Sequence, residues 1–364
     1  MLGARNARAL RSSSVFANPH LSRERKGVAM KRDVCAIFVS LAIVAGALGI
    51  APGTAEAADY TIRLGTAAAP AHPLTRANME FKKYLEERSK GRIEVRVLHS
   101  GQLGGVRETI EMAKAGTLTA AVGDTAFLEN FVPKFGVINM PFVFPNREAA
   151  FAMLDGPIGQ ELVREMEKAG FKSLGLTENG FRHITNNVRP VSTPDDLRGI
   201  KLRVQTNPVH LKVFRMLGAN PIPMDWPEVY SALQQKVIDG QENPLSIIFP
   251  LKVYEVQKYL SLTGHFYGVF GVYMHKPFYD GLPKDLQQAV DSAARDSVAW
   301  HRKTIVAEEQ SYIDGLRKAG IAINQPSPEQ LKLFRDKVVP VYDDVRKVVG
   351  PDLMDRFLAA LPRK

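Results

Sequence analysis

Tyr60-Thr61-Ile62-Arg63-Leu64 and Ile93-Glu94-Val95-Arg96-Val97 each place apolar residues at every second position, the signature of a β-strand. Between them His72-Pro73 leads into a stretch with Phe81, Tyr84, Leu85 and Arg88 on one side, a helical spacing that Gly91 ends. After the second strand comes the glycine-rich turn Gly101–Gly105. Val106, Ile110 and Ala113 then define a second helix face, Gly116 stops it, and Leu118–Val122 reads as a third strand. A β-α-β-α-β unit closes only as a parallel sheet with right-handed crossovers, so the fold class is α/β.

Working toward the C-terminus, residues 145–170 read as mainly helical and 172–176 as a strand. Residues 181–186 are extended and run into the turn at Arg189-Pro190. Thr193-Pro194-Asp195-Asp196 has the composition of a helix start, with acidic residues on the positive end of the dipole. A strand at 201–204, helices at 208–217 and 226–235, and a β-rich run at 267–274 come next. A helix from Pro283 to about Gly315 is long enough to span two lobes. Two more helices, 328–339 and 341–349, close the pattern.

Toward the N-terminus the character changes. Lys31-Arg32, the apolar run Val34–Ala51 and Ala55-Glu56-Ala57 have the order of a secretory signal peptide, with Ala58-Asp59-Tyr60 opening the mature chain. The apolar run is also just long enough for a membrane anchor. Residues 1–29 sit awkwardly before such a leader, and Met30 reads as the true start. Cleavage would remove Cys35, the single cysteine. No cysteine stands at the cleavage point for a lipid anchor, and a cysteine-free chain suits an oxidising compartment without requiring one.

The leader also changes the charge. Residues 1–57 hold 8 of the 48 Lys and Arg and 3 of the 38 Asp and Glu, leaving 40 against 35, a surplus of 5. That is a mild field favouring anionic ligands. No dense basic run of the nucleic-acid-binding kind occurs after residue 57.

The densest polar information lies between Gly180 and Asn243. Gly180-Phe181-Arg182 sets an arginine in an extended stretch, and Arg203 lies on the strand Lys201-Leu202-Arg203-Val204. A buried guanidinium must find an anion. A ligand carboxylate, matched by the two-pronged fork, is one solution; an internal Asp or Glu is the other. Asp239-Gly240-Gln241-Glu242-Asn243-Pro244 packs polar groups into a turn, and Trp226 reads as packing or as a ligand contact.

The stretches 180–182, 195–204, 228–230, 232–235, 239–244 and 254–259 together resemble the solute-binding proteins of TRAP-type transporters, the DctP type. The likeness extends over about residues 58–360. It implies a two-lobed periplasmic-binding-protein-like fold with a hinge, in which residues 58–180 plus about 268–308 form lobe I and 181–267 plus about 309–364 form lobe II. Hinge crossings are expected near 176–183 and 267–274. It further implies capture of a small organic acid (a C4-dicarboxylate, sugar acid or keto acid) and delivery to a small and a large membrane subunit. The protein would be a periplasmic monomer with no cofactor and no catalytic residue.

By the same resemblance Arg203 makes the bidentate pair with the ligand carboxylate, Arg182 is a second arginine at that group, and Asn243 completes the clamp. Trp226 packs on the ligand, and Asp124 takes its hydroxyl or amine groups. Ala67 stands where sialic-acid binders carry an asparagine, which argues against sialic acid. His72 lies near the same mouth, with a purely structural role as the alternative.

No G-x-S-x-G, zinc-binding histidine pair or phosphate-loop pattern occurs in the mature chain. Two other classes stay open at this point: an exported sensor that presents its bound state to a receptor, and an exported enzyme on a similar frame.

Overall fold

The computed structural model describes residues 58–362; the expected leader, the Met30 start and Cys35 lie outside them. Strands β1 (Tyr60–Thr66), β2 (Ile93–Leu98) and β3 (Ala120–Asp124) are parallel, with β1 in the middle. Helix α1 (Pro73–Arg88) forms the first crossover. His72 caps it, its Nδ1 accepting the Leu74 amide at 3.0 Å, and Leu74, Ala77, Phe81 and Leu85 supply the buried stripe. Helix α2 (Val106–Ala115) is the second crossover. Its N-cap is Gly105, whose amide donates to Glu108 at 2.8 Å, and it ends on the left-handed Gly116.

The remaining strands make the sheet mixed. Its order is β2-β1-β3-β9-β4-β7-β5-β6, where β4 is Phe171–Asn186, β5 Lys201–Val204, β6 Asn220–Pro223, β7 Gly240–Pro244 and β9 Tyr267–His275. The two stretches expected as separate extended segments form one 16-residue strand, β4. Its first part runs antiparallel to β9; from Arg182 to Asn186 it runs antiparallel to β7. Register shifts at Ser173/Gly175 and Glu178/Gly180, with both glycines at positive φ, break the alternation. Strand β8 (Tyr259–Ser261) pairs with β4 and with β10 (Ala322–Asn324).

The chain's middle stretch carries three helices: α3 (Thr125–Leu128), α4 (Arg147–Asp155) and α5 (Pro157–Lys168). On the second half of the sheet lie α6 (Pro208–Met216), α7 (Trp226–Gln234) and α8 (Leu245–Ile248). The short α9 (Lys276–Asp280) precedes α10 (Lys284–Lys318), whose 35 residues reach roughly 50 Å. Helix α10 packs on α1 near one end, on β4 in its middle and on α8 near the other, so it spans both lobes.

Thr193-Pro194 opens only a 3-10 turn, Pro194–Leu197, with the Asp196 carboxylate accepting the Ser192 and Thr193 amides at 2.9 and 2.7 Å. After α11 (Pro328–Val338) and α12 (Val341–Val349) comes a helix that the sequence pattern did not announce, α13 (Pro351–Ala360). Gly350 at φ 90° breaks the chain and Pro351 restarts it. These last helices touch segments far back in the chain. Helix α12 packs on the 3-10 turn Pro133–Val137 and on α6, the Phe357 ring lies 5.8 Å from that of Phe144, and Arg356 pairs with Glu161 at 2.9 Å. Among the described residues no helix is long and apolar enough to cross a membrane.

Candidate functional site

The parallel strands end together, and the residues at and just past their carboxyl ends surround one cavity. Thr66 closes β1, Asp124 closes β3, Gln205 comes directly after β5, and Asn243 stands at the end of β7. The cavity is narrow, about 50 Å³. Arg203, Asn179 and Trp226 complete its polar and aromatic side; Leu74, Val106, Val122, Phe127, Ile247 and Phe270 form an apolar wall.

Arg203 is 1% exposed. Its Nε donates to the Met224 carbonyl at 2.8 Å, and the guanidinium lies 5.8 Å from the centre of the Trp226 ring. Among the described residues no carboxylate lies within ion-pair distance of it. Burial pulls its pKa down to about 10; the charge of Arg182 acts the same way, and Glu242 and Asp225 act against it. A buried cation with its terminal nitrogens uncommitted lines the cavity.

Arg182 is equally buried and its situation is the reverse. It forks onto Glu242, Nε to Oε2 at 2.5 Å and Nη2 to Oε1 at 2.7 Å, and Nη2 also reaches the Glu242 carbonyl at 2.6 Å. Only Nη1 lacks a partner, 3.8 Å from Asp124 Oδ2. Burial works against the charges of both groups. The pairing outweighs it, holding Arg182 above its ordinary range and Glu242 well below the usual carboxylate range. His265 Nε2 stands 3.1 Å from Glu242, and its Nδ1 is 2.7 Å from Thr263 Oγ1. Arg182, expected as a second arginine at the ligand, is forked onto an internal carboxylate with Nη1 left toward Asp124, and it is not among the residues lining this cavity.

The other expected residues divide the same way. Asn243 lines the cavity, with its amide nitrogen committed to Gln241 at 2.5 Å. Trp226 lines it as the first residue of α7. Asp124 lines it too; its two oxygens accept the Ala126 amide at 2.9 Å and Asn179 Nδ2 at 2.7 Å. Burial raises its pKa, against the nearby charge of Arg182. His72 does not line the cavity. Its Nδ1 is the helix cap, its ring meets Phe270 edge-on at 5.8 Å, and burial lowers its pKa to about 3, so it stays neutral.

Sequence reasoning missed Glu242, Gln205 and Asn179. Glu242 stood inside the polar turn singled out for Asn243, and the rule that a buried arginine needs an anion pointed to it. Gln205 and Asn179 carried no comparable signal: a lone amide beside a strand is usually a surface group. Both are buried here, and Gln205 Oε1 and Asn179 Oδ1 have no hydrogen-bond partner among the described residues.

The Asp225 side chain packs against the Gly105 backbone, where a β-carbon would overlap its carboxylate. Nearby, Asn207 donates to the Ala126 carbonyl at 2.9 Å and to Glu129 at 2.8 Å. Elsewhere Arg147 forks onto the buried Glu178 of β4, both contacts 2.8 Å, and reaches Glu309 of α10 at 2.7 Å. Among the described residues no three His, Cys, Asp or Glu are grouped to hold a metal ion.

Known proteins share this fold. The model of the bacterial extracellular solute-binding protein family 7, DctP, matches residues 64–347. A solute-binding protein of Verminephrobacter eiseniae is 39% identical over 73% of this chain and 80% of its own. The sugar acid binding protein DctPAm of Advenella mimigardefordensis, solved with galactonate, superposes with a TM-score of 0.81 at 35% identity, over 84% of this chain and 98% of the other. A TRAP periplasmic solute-binding protein of Bordetella bronchispeptica, with density assigned as pantoate, gives 0.79 at 37% identity, over 83% and 100%. With a cleft at the strand ends, a two-lobed fold like theirs and a family match over most of its length, the chain belongs to the DctP family of bacterial extracellular solute-binding proteins, the binding components of TRAP transporters.

Proposed function

We propose that this protein captures a small organic acid outside the cytoplasm and hands it to the membrane subunits of a TRAP transporter, with no chemistry performed on the ligand. The observation that carries the reading is Arg203, a buried guanidinium facing the cavity with no carboxylate partner among the described residues. A ligand carboxylate supplies the missing charge, and the planar fork matches it in two hydrogen bonds. Asn243 and Trp226 flank that carboxylate, and Asp124 receives hydroxyl groups at the other end. Arg182 acts at one remove, neutralising Glu242 and facing Asp124, and His72 fixes the wall at Phe270. The ligands named for the two structural relatives, galactonate and pantoate, each carry one carboxylate.

In this reading residues 58–180 with about 268–308 make one lobe, and 181–267 with about 309–364 make the other. They bend about β4 and β9 as the ligand enters. The family's place outside the cytoplasm fits a leader in residues 1–57, removed on export to leave a periplasmic monomer. Calorimetric titration and thermal unfolding with organic acids test the reading. A ligand at about 100 times its Kd adds about 2.7 kcal/mol to stability. Arg203→Ala should remove about 2–5 kcal/mol of binding, about 30- to 4,000-fold in Kd. A Kd unchanged in that variant would refute the clamp.

A further inference from the structure

The lining of the cleft is selective in a way that the presence of an Arg clamp does not dictate. One cation faces the cavity, Arg203. The second buried guanidinium, Arg182, is forked onto Glu242 and lies off the lining. At the other end stands Asp124. A second carboxylate on the ligand would meet the Asp124 carboxyl there, and the one cation near it, Arg182 with Nη1 at 3.8 Å from Asp124, is already forked onto Glu242.

The walls set the second limit. Leu74, Val106, Val122, Phe127, Ile247 and Phe270 offer carbon where a sugar acid presents a hydroxyl on every carbon beyond its carboxylate. Each such hydroxyl would give up water and find no partner. Much of the polar lining is already engaged. Thr66 Oγ1 accepts the Ala68 amide at 3.2 Å, the Asn243 amide nitrogen is on Gln241, and each Asp124 oxygen holds one donor. Two acceptors are buried and unpartnered, Asn179 Oδ1 and Gln205 Oε1, on residues 2% and 4% exposed. They call for one or two hydroxyl donors on the ligand.

From this lining we infer that the ligand is a branched-chain hydroxy-monocarboxylate: one carboxylate on Arg203, one or two hydroxyls on Asn179, Gln205 and Asp124, and an alkyl branch against the apolar wall. This rests on carboxylate capture as the function and narrows it, away from dicarboxylates and polyhydroxylated sugar acids.

The test is a calorimetric comparison on the wild-type protein, freed of carried-over ligand, of 2,3-dihydroxy-3-methylbutanoate and 2-hydroxy-3-methylbutanoate with galactonate and succinate. The branched acids should bind about tenfold or more tighter than the other two, the scale on which a pocket discriminates an unmatched group. Val106→Thr, nearly isosteric and bringing a hydroxyl to the wall, should narrow the ratio to galactonate several-fold while the far-ultraviolet dichroism stays unchanged. Galactonate or succinate binding as tightly as the branched acids, and lost in Arg203→Ala, would leave carboxylate capture standing and overturn the ligand class. Failure of all four acids to bind folded protein would overturn both.

Discussion

Arg182 and Arg203 lie on β4 and β5 with one strand between them, and both guanidiniums are 1% exposed. Around Arg182 the charges are matched: Glu242 takes the fork, and His265 takes the remaining face of the carboxylate. Around Arg203 the protein supplies one backbone carbonyl and an aromatic ring. The same residue type, at the same burial, is thus ion-paired in one place and, among the described residues, without a carboxylate partner in the other. What separates them is the presence of a carboxylate, so the strand pattern around an arginine says little about its use. Its partners decide.

The sharpest way to break this contrast is Glu242→Ala. It strands the Arg182 charge in the interior, and denaturant unfolding should register a loss of about 3–5 kcal/mol. A loss below about 1 kcal/mol would mean that the two arginines are not different in kind. Next in size is Arg203→Lys. It keeps the charge and loses the fork, so calorimetry should find acid binding weaker by about 2 kcal/mol, roughly 30-fold. Unfolding without ligand should change little, because no ion pair is lost. A large loss of stability would place Arg203 with Arg182.

Protonation tests the matched region from another side. His210 stacks on Phe266 at 4.0 Å near Glu242, and burial, opposed by Glu242 and aided by Arg182, lowers its pKa from 6.5 to about 3. The unfolded chain therefore binds a proton that the folded chain refuses between those values. The contribution to stability is full above about pH 6.5 and is lost as the pH falls toward 3. His210→Gln should flatten the fall in unfolding free energy across that window by about 1.4 kcal/mol per pH unit. An unchanged slope would show that the ring is already charged. The smallest effect is expected from Trp226→Leu, which removes the ring beside Arg203. Affinity should drop by about 0.5–1 kcal/mol, a few-fold in Kd, alongside a modest loss of ligand-free stability, expected because the ring also packs on the core.

Much of the frame was legible because it repeats a local rule. Alternation gave β1 and β2, capping and apolar spacing gave α1 and α2, and a long run without strong breakers gave α10. Strand β4 read as two pieces because the bulges at Gly175 and Gly180 reset the alternation, while the pairing to β9 that joins them comes from residues about 90 positions away. The final helix was lost to Gly350-Pro351, which punctuates in sequence what is only a bend between packed helices. The site divided along the same line. Arg203, Asn243, Trp226 and Asp124, singled out through the family resemblance of the stretches around them, do line one cavity. The engagement of Arg182 with Glu242, 60 residues on, and the exclusion of His72 from the lining depend on the folded sheet.

The contact between Gly105 and Asp225 carries a mechanical consequence. A β-carbon at residue 105 would land on the Asp225 carboxylate, the tip of a side chain that can swing aside, and Val106 and Trp226, the chain neighbours of this pair, both line the cavity. Gly105→Ala would therefore turn the carboxylate off its seat rather than wedge the backbones apart, and it would be felt by the ligand through those two neighbours.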